Sequence, residues 1–459
     1  MLTFTHKTTI IQIETNIKQH KTPIRRYTKH MNINLLHPAD QLVMMMNRIY
    51  HYGMTTTSGG NLSILDDNGD VWITPGSVDK GNLTRSDMVC IKKDGTIVGN
   101  HKPSSEYPFH LQIYKTRSDI KAVLHAHPPA LVAFSIVRKI PNTLLSPNSF
   151  VGCGKIAIAE YGLPGSQDLG NKIAKEFAEG CDIAVLENHG VVVGSDSLFN
   201  AFNAFENLDF CARLQINAAI IGTPRYLKEE EIQLKYTKNH LSMDEFVRNT
   251  ITSAEKAARR DMCNIIHRAY DQGLVNSIQG SFSVRLDEER FLISPYNIDR
   301  KYVDVEDIVC IKRDMREAGK IPSRSIKIHD EIYRQHPEIH SIIIAHPPYI
   351  MSYAVTEEDL DSKSIPESYI LMRDIPKVGY SEFYQDPMKS AQIFDQSTPI
   401  VMVKNDCIAV TGDSLLNAFD RLEVAEYSAK ALVFAKNLGD MVPISEEQIE
   451  EIKDAFHLK

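Results

Sequence analysis

The sequence has no apolar run approaching the ~20 residues that a membrane-spanning helix needs, and no apolar signal core follows Met1. A membrane or secreted protein is therefore not expected. No C-x-x-C pair occurs among its cysteines. Cys90, Cys153, Cys181, Cys211, Cys263, Cys310 and Cys407 are scattered and sit mostly inside apolar runs, which argues against a disulfide framework and for buried thiols in a reducing, cytoplasmic compartment. Positive charge is not in surplus. A formal net charge of −8 removes the electrostatic basis for general nucleic-acid or membrane binding, so a small anionic partner needs a positive pocket of its own. In residues 1–30 it is acid that is scarce: Lys7, Lys18, Lys21, Arg25, Arg26 and Lys29 face only Glu14. That stretch shows no periodicity and is expected to be a flexible basic tail or extension, with Met31 as the natural start.

Hydrophobic residues make up 43% against 24% charged, which is enough to fill ordinary globular cores. At 459 residues the chain is too long for one core, and two domains are the simplest reading. An internal repeat gives that reading substance. Met88-Val-Cys-Ile-Lys-Lys-Asp94 recurs as Ile308-Val-Cys-Ile-Lys-Arg-Asp314, and Ile73-Thr-Pro75 recurs as Ile293-Ser-Pro295. Ala126-His-Pro-Pro129 recurs as Ala345-His-Pro-Pro348, and Ser197-Leu-Phe-Asn-Ala-Phe202 as Ser414-Leu-Leu-Asn-Ala-Phe419. The period is far longer than that of a solenoid, so whole domains are duplicated. The expected division is 31–240 and 241–459, with the charged stretch Lys228–Met243 as the bridge.

Each copy opens with a helical pattern, Ala39–Tyr52 and Ala254–Gln272, closed by Gly53 and Gly273. Short strands are predicted at Asn61–Leu65, Val71–Thr74, Met88–Lys92, Ala122–His127 and Ile183–Leu186, with helices near Glu106–Lys115 and Leu198–Ala219. The fold class is α/β: two tandem α/β/α domains, each a central sheet flanked by helices.

His125 and His127 stand two apart on a predicted strand, which puts both rings on one face and suits a shared metal ion. His189 follows the strand-like run Ile183–Leu186 and precedes Gly190, where backbone can approach closely. Three neutral imidazoles with an open position is the arrangement of catalytic zinc. A single histidine is more often structural; it is the spacing that singles these out. Glu106 follows Pro103-Ser104-Ser105 at a helix start, where unpaired N–H groups favour an anion. Ser58-Gly-Gly-Asn61 adds a tight turn, and with Ser104 and Ser105 it forms a candidate phosphate cradle.

Taken in order, Ser58-Gly-Gly-Asn61, Thr74-Pro75, Ser104-Ser105-Glu106, His125-Ala-His127 and Asn188-His189-Gly190 resemble the motifs of the class II aldolase/adducin family, and the resemblance runs from about Leu36 to the end. It implies a central, mostly antiparallel sheet in each domain. It implies further that His125, His127 and His189 hold Zn2+, that Glu106 is the acid/base, and that Ser58, Asn61, Ser77, Ser104 and Ser105 line a phosphate site. The reaction implied is reversible cleavage of a ketose 1-phosphate of the L-fuculose 1-phosphate type, through an enediolate, to dihydroxyacetone phosphate and a short aldehyde. Homo-oligomers are implied as well, here a dimer forming a pseudo-tetramer. One feature departs from the family: the stretch after Pro141 reads Asn-Thr-Leu-Leu, without the tyrosine that such enzymes place over a neighbour's site, leaving Tyr161 or Tyr236 as substitutes.

In the second copy His125 becomes Ile344, His189 becomes Asp406, Glu106 becomes Ser325, Asn61 becomes Ser281 and Ser105 becomes Arg324; His127 alone keeps its partner, His346. One imidazole and one carboxylate make a poor zinc site, so this copy reads as a degenerate, metal-free domain. Two rival functions stay open. One is a decarboxylase, dehydratase or epimerase of the same fold, with epimerase ranked lower because such enzymes resemble the aldolases but carry Asp at the Glu106 position. The other is a non-enzymatic, adducin-like scaffold.

Overall fold

The computed structural model describes residues 33–228, 230–232 and 242–458. The basic segment 1–30, Tyr236 and most of the bridge Lys228–Met243 lie outside them. Contacts divide the chain into residues 1–30 and 31–459, and everything described below belongs to the second unit.

The opening helix of the first repeat spans Pro38–His51. Proline at its first position costs no hydrogen bond, and the His37 side chain accepts from Ala39 N–H at 3.1 Å. Its apolar positions Ala39, Leu42, Met45, Met46 and Ile49 recur every three or four residues and are all buried. The chain leaves through Gly53 at φ +67°, a conformation that a side chain disfavours. The second repeat does the same with helix Ser253–Asp271, capped by Thr252 and ended by Gly273 at φ +73°.

The first sheet contains β1 (Asn61–Leu65), β2 (Val71–Ile73), β3 (Val89–Ile91), β4 (Ile97–Val98), β5 (Ala122–Ala126), β6 (Ile156–Ala159), β7 (Ile183–Leu186) and β8 (Gly190–Ser195). Its order is β4-β3-β2-β1-β5-β8-β7-β6, antiparallel throughout except for the β6–β7 pair. The second sheet contains β9 (Glu245–Phe246), β10 (Ser281–Arg285), β11 (Arg290–Ile293), β12 (Val309–Lys312), β13 (Met315–Glu317), β14 (Ser341–Ala345), β15 (Lys377–Val378), β16 (Ile400–Val403) and β17 (Cys407–Gly412). Its order, β15-β16-β17-β14-β10-β11-β12-β13-β9, is the same with one strand added at the edge. Each sheet lies between two apolar layers, one on each face, which is the expected α/β/α arrangement. The predicted strands fall within one or two residues of the observed ones. The strands β4, β6 and β8 and the helices Pro129–Ile136, Pro147–Cys153 and Gln167–Ala178 were not anticipated; all but the last are segments too short for a period to be read.

Helix Leu198–Ile221 joins the repeats. It is buried over most of its surface because it serves two cores: Phe202 and Phe205 pack in the first repeat, and Phe210, Leu214, Ala218 and Ile221 pack among residues of the second. Beside it, Arg48 is fully buried. Its guanidinium meets Asp299 at 2.5 and 3.0 Å and Tyr270 Oη at 2.6 Å, with the Phe202 ring 4.6 Å away. A buried charge needs this degree of pairing, and removing one partner would strand the other. All seven cysteines are free and buried, and among the described residues no helix is long and apolar enough to cross a membrane.

Candidate metal centre

β5 lies at the middle of its sheet, between β1 and β8, so its last residues are held from both sides. His125 is paired in register with Asn61 on one side and Val192 on the other. Its ring is wholly buried, and Nδ1 lies 3.0 Å from the carbonyl oxygen of Val191. A carbonyl only accepts, so Nδ1 carries a proton, and in the neutral ring Nε2 presents a lone pair. That lone pair is 3.0 Å from Nε2 of His127. His189, in the turn between β7 and β8, completes the group: the ligand atoms of the three rings lie within 4.8 Å of one another.

The space beside His127 exists because of glycine. A Cβ on Gly190 would meet His127 Cδ2 at 2.5 Å and the Ala126 carbonyl oxygen at 2.6 Å, and one on Gly59 would meet His127 Nδ1 at 2.8 Å. Gly190 thus does what its place in the sequence implied. Helix Tyr107–Thr116 begins beside the three rings, with Glu106 as its N-cap and Ser104 Oγ accepting from the Glu106 N–H at 3.3 Å. Glu106 Oε2 is 3.3 Å from His125 Nε2, and Oε1 is 3.8 Å from His189 Nε2.

The electrostatics follow from burial and these neighbours. Burial pushes the Glu106 carboxyl up, but His125, His189 and the Asn61 amide outweigh it and hold the group well below the usual carboxylate range. Burial, then the nearby rings, drops His127 to about 3 and His189 to about 4, so both are neutral near pH 7 and available as ligands. For His125 burial works against protonation, while Glu106 overrides it and raises the ring.

A side chain that sequence reasoning missed organises Glu106. His110 is completely buried one helical turn further on. Its Nε2 donates to Asn61 Oδ1 at 2.5 Å, its Nδ1 accepts from Ser63 Oγ at 2.7 Å, and Ser63 Oγ in turn lies 2.6 Å from Tyr114 Oη. Asn61 then gives its amide N–H to Glu106 Oε2 at 2.8 Å. The donors run in one direction, from Tyr114 to the carboxylate, and end on an acceptor that has no proton to return. The i, i+4 spacing of Glu106 and His110 on one helix face was the signal that could have revealed it. Asn61 is therefore committed to Glu106 and His110. Of the other cradle residues, Ser104 is buried beside Glu106, while Ser58, Ser77 and Ser105 are exposed, and Ser77 adopts φ +56°. Tyr161 is 54% exposed, its backbone N–H bonded to Glu187 at 3.1 Å.

The donor set fits a cation. Two imidazole nitrogens face each other at 3.0 Å, a contact that a shared cation reconciles, as does a proton on either nitrogen. Glu106 Oε1 and His189 Nδ1 are buried with no hydrogen-bond partner among the described residues.

A family model described as Class II Aldolase and Adducin N-terminal domain matches residues 40–216 and again 260–433. A 5-deoxy-D-ribulose 1-phosphate aldolase of Bacillus thuringiensis serovar kurstaki is 29% identical over 197 residues, 42% of this chain and 91% of that protein. A 3-oxo-tetronate 4-phosphate decarboxylase of Haemophilus influenzae is 31% identical over 197 residues, 42% of this chain and 92% of that protein. An L-fuculose phosphate aldolase of Methanocaldococcus jannaschii is 32% identical over 177 residues, 38% of this chain and 94% of that protein.

Proposed function

The chain belongs to the class II aldolase and adducin family, and on that premise we propose that its first repeat is a zinc-dependent lyase that reversibly cleaves a ketose 1-phosphate to dihydroxyacetone phosphate and a short aldehyde. The observation that carries the reading is the convergence of His125, His127 and His189 beside Glu106 Oε1, a buried oxygen with no hydrogen-bond partner among the described residues. Zinc held by the three rings would supply Lewis acidity at the oxygens next to the bond that breaks. The remaining work falls to the chain. Glu106, kept as a carboxylate by Asn61 and the rings, exchanges a proton with the carbon that the leaving aldehyde vacates, a role worth about 10²–10⁴ in rate. The exposed hydroxyls of Ser58, Ser77 and Ser105, with Ser104 at the helix start, receive the phosphate.

Decarboxylation is the second reading, favoured by the 31% identity to a decarboxylase acting on a phosphorylated sugar acid. Both reactions leave a carbanion beside a carbonyl, so one site serves either. The test is to supply ketose 1-phosphates and 3-oxo acid phosphates to protein of measured metal content. Both reactions can yield dihydroxyacetone phosphate, so the co-product decides. An aldehyde released from a ketose 1-phosphate in proportion to zinc supports the aldolase, whereas carbon dioxide released from a 3-oxo acid phosphate, with no cleavage of ketose 1-phosphates, supports the decarboxylase. A zinc-free protein inert to both would leave the scaffold reading.

The repeats also argue for a head-to-tail pair of chains. Ile136 and Val137 are 52% and 58% exposed in the first repeat, whereas their counterparts Val355 and Thr356 are 1% exposed. On the opposing face, Phe210 is 1% exposed and its counterpart Tyr427 is 71% exposed. Within one chain a single copy of this interface is closed, and both complementary halves of a second copy lie open. A second chain satisfies them together, placing its second repeat beside the metal centre of the first.

A further inference from the structure

The second repeat lost the metal ligands but not the pocket. A cavity of about 310 Å³ occupies the position equivalent to the metal centre, and both repeats line it: Asn148 and Asn207 from the first, Gln279, Asn297, Arg324 and Asp406 from the second. The backbone that frames it is unchanged. Gly280 at φ +84° repeats Gly60 at +73°, Asn297 at +53° repeats Ser77 at +56°, and Asn405 at +60° repeats Asn188 at +57°. The bridge between Pro75 and Pro103 is repeated between Pro295 and Pro322. Left-handed conformations at non-glycine residues are costly and persist where the surroundings hold them, so a loop set with no remaining use would have been free to relax.

The side chains have been exchanged in a consistent sense. Where the first repeat has Glu106 and Asn61, the second has hydroxyls, while Ile344, His346 and Asp406 stand at the positions of the three imidazoles: Ser281 Oγ lies 2.7 Å from Ser325 Oγ, which lies 3.0 Å from Ser323 Oγ. The His110 relay survives as His329 between Ser281 and Ser283, both at 2.7 Å, but it now ends on a hydroxyl. At the start of helix Ile326–Gln335 an exposed guanidinium, Arg324, stands where the first repeat has Ser105, its Cζ 5.2 Å from the centroid of the Tyr296 ring. In the opposite sense, Asp406 accepts from Tyr384 Oη at 2.5 Å, and Asn148 of the first repeat reaches His346 Nε2 at 3.3 Å. Gln279, 9% exposed, gives its amide N–H to Asn207 and leaves Oε1 buried with no hydrogen-bond partner among the described residues. An unsatisfied buried acceptor in a cavity wall calls for a donor from whatever fills the cavity.

We propose that the second repeat is a metal-independent binding site for a small phosphate monoester of a hydroxylated carbon chain, with the phosphate at Arg324, Ser323 and Asn297 and the hydroxyls donated to Gln279 and Asp406. Arginine matches the phosphate oxygens in a planar fork, and the helix start adds its N–H groups. Because Asn148 and Asn207 close the cavity from the other repeat, occupancy couples to the packing between repeats.

The proposal does not depend on the activity of the first repeat, and its test separates the two sites. The full chain is stripped with EDTA and titrated calorimetrically with glycerol 3-phosphate, in a Ser105→Glu background that places a carboxylate in the first cradle. One equivalent bound per chain, unaffected by added EDTA, is expected. Arg324→Glu in that background weakens binding at least tenfold while an unchanged melting curve shows a folded protein, and Arg324→Lys restores part of the loss. Absence of binding in the Ser105→Glu protein, or indifference to Arg324→Glu, overturns the proposal. Inorganic phosphate bound as tightly as glycerol 3-phosphate overturns the hydroxyl half of the assignment. If the first cradle does not bind phosphate, the Ser105→Glu and unsubstituted proteins behave alike, and the Arg324 comparison still decides.

Discussion

Two single residues carry the proposed chemistry in different ways. Glu106 is a negative charge already held in place, so Glu106→Gln is expected to keep the metal and lower turnover about 10²–10⁴-fold, as loss of a proton-transferring group does. Metal analysis beside steady-state kinetics checks this, and a variant with near-normal turnover removes Glu106 from the reaction. Gly190 contributes only space. Gly190→Ala puts a Cβ 2.5 Å from the His127 ring, and neither the ring nor the Ala126 carbonyl can yield without leaving the site. The expected outcome is a folded protein by circular dichroism with its zinc per chain well below one. Full metal occupancy in Gly190→Ala would show that His127 is not held where the structure puts it.

Among the elements, the short helix Ile350–Ala354 is held by one carboxylate. Glu426, half-buried on helix Leu415–Ala435, accepts from the N–H groups of Tyr349 at 3.0 and 3.1 Å and of Ile350 at 2.8 Å. Burial, opposed by those N–H groups, raises its carboxyl to about 7. The folded chain therefore keeps this proton at a pH where the unfolded chain, with an ordinary glutamate, has lost it. Stability from this group is complete below about pH 4.3 and falls as pH rises toward 7, because unfolding releases the proton. Melting temperatures of the parent and of Glu426→Gln, compared at pH 5 and pH 8, should show the parent losing ground at pH 8. A constant difference between the two proteins would mean that Glu426 titrates normally. The elements themselves were mostly legible beforehand, because helix Pro38–His51 and strands such as β1 and β5 carry a period and a stop signal. The strand β8 did not stand out as separate from β7, since Ile183–Ser195 is apolar on both sides of a turn and strands buried on both faces lose their alternation.

For the whole molecule, the unequal exposure of equivalent faces predicts association of two chains. Light scattering should give twice the chain mass, and Val137→Asp or Tyr427→Asp, both at exposed positions, should return a folded single chain. Lower turnover at unchanged zinc content in those variants is expected if the partner's second repeat shapes the pocket. A monodisperse single chain for the unsubstituted protein refutes the arrangement.

The order of residues by itself determined the duplication, the mixed α/β character, the paired rings of His125 and His127, and the loss of ligands in the second copy. These are local facts of spacing and period, and local backbone geometry converts them directly into shared faces. The tertiary structure alone decided that His189 and Glu106 arrive at the same place, that Asn61 serves Glu106 through the His110 relay, and that Asn148 closes a cavity in the other repeat. Such meetings join residues tens to hundreds of positions apart, and they depend on strand order and on helix Leu198–Ile221 entering two cores, which no short window of sequence encodes.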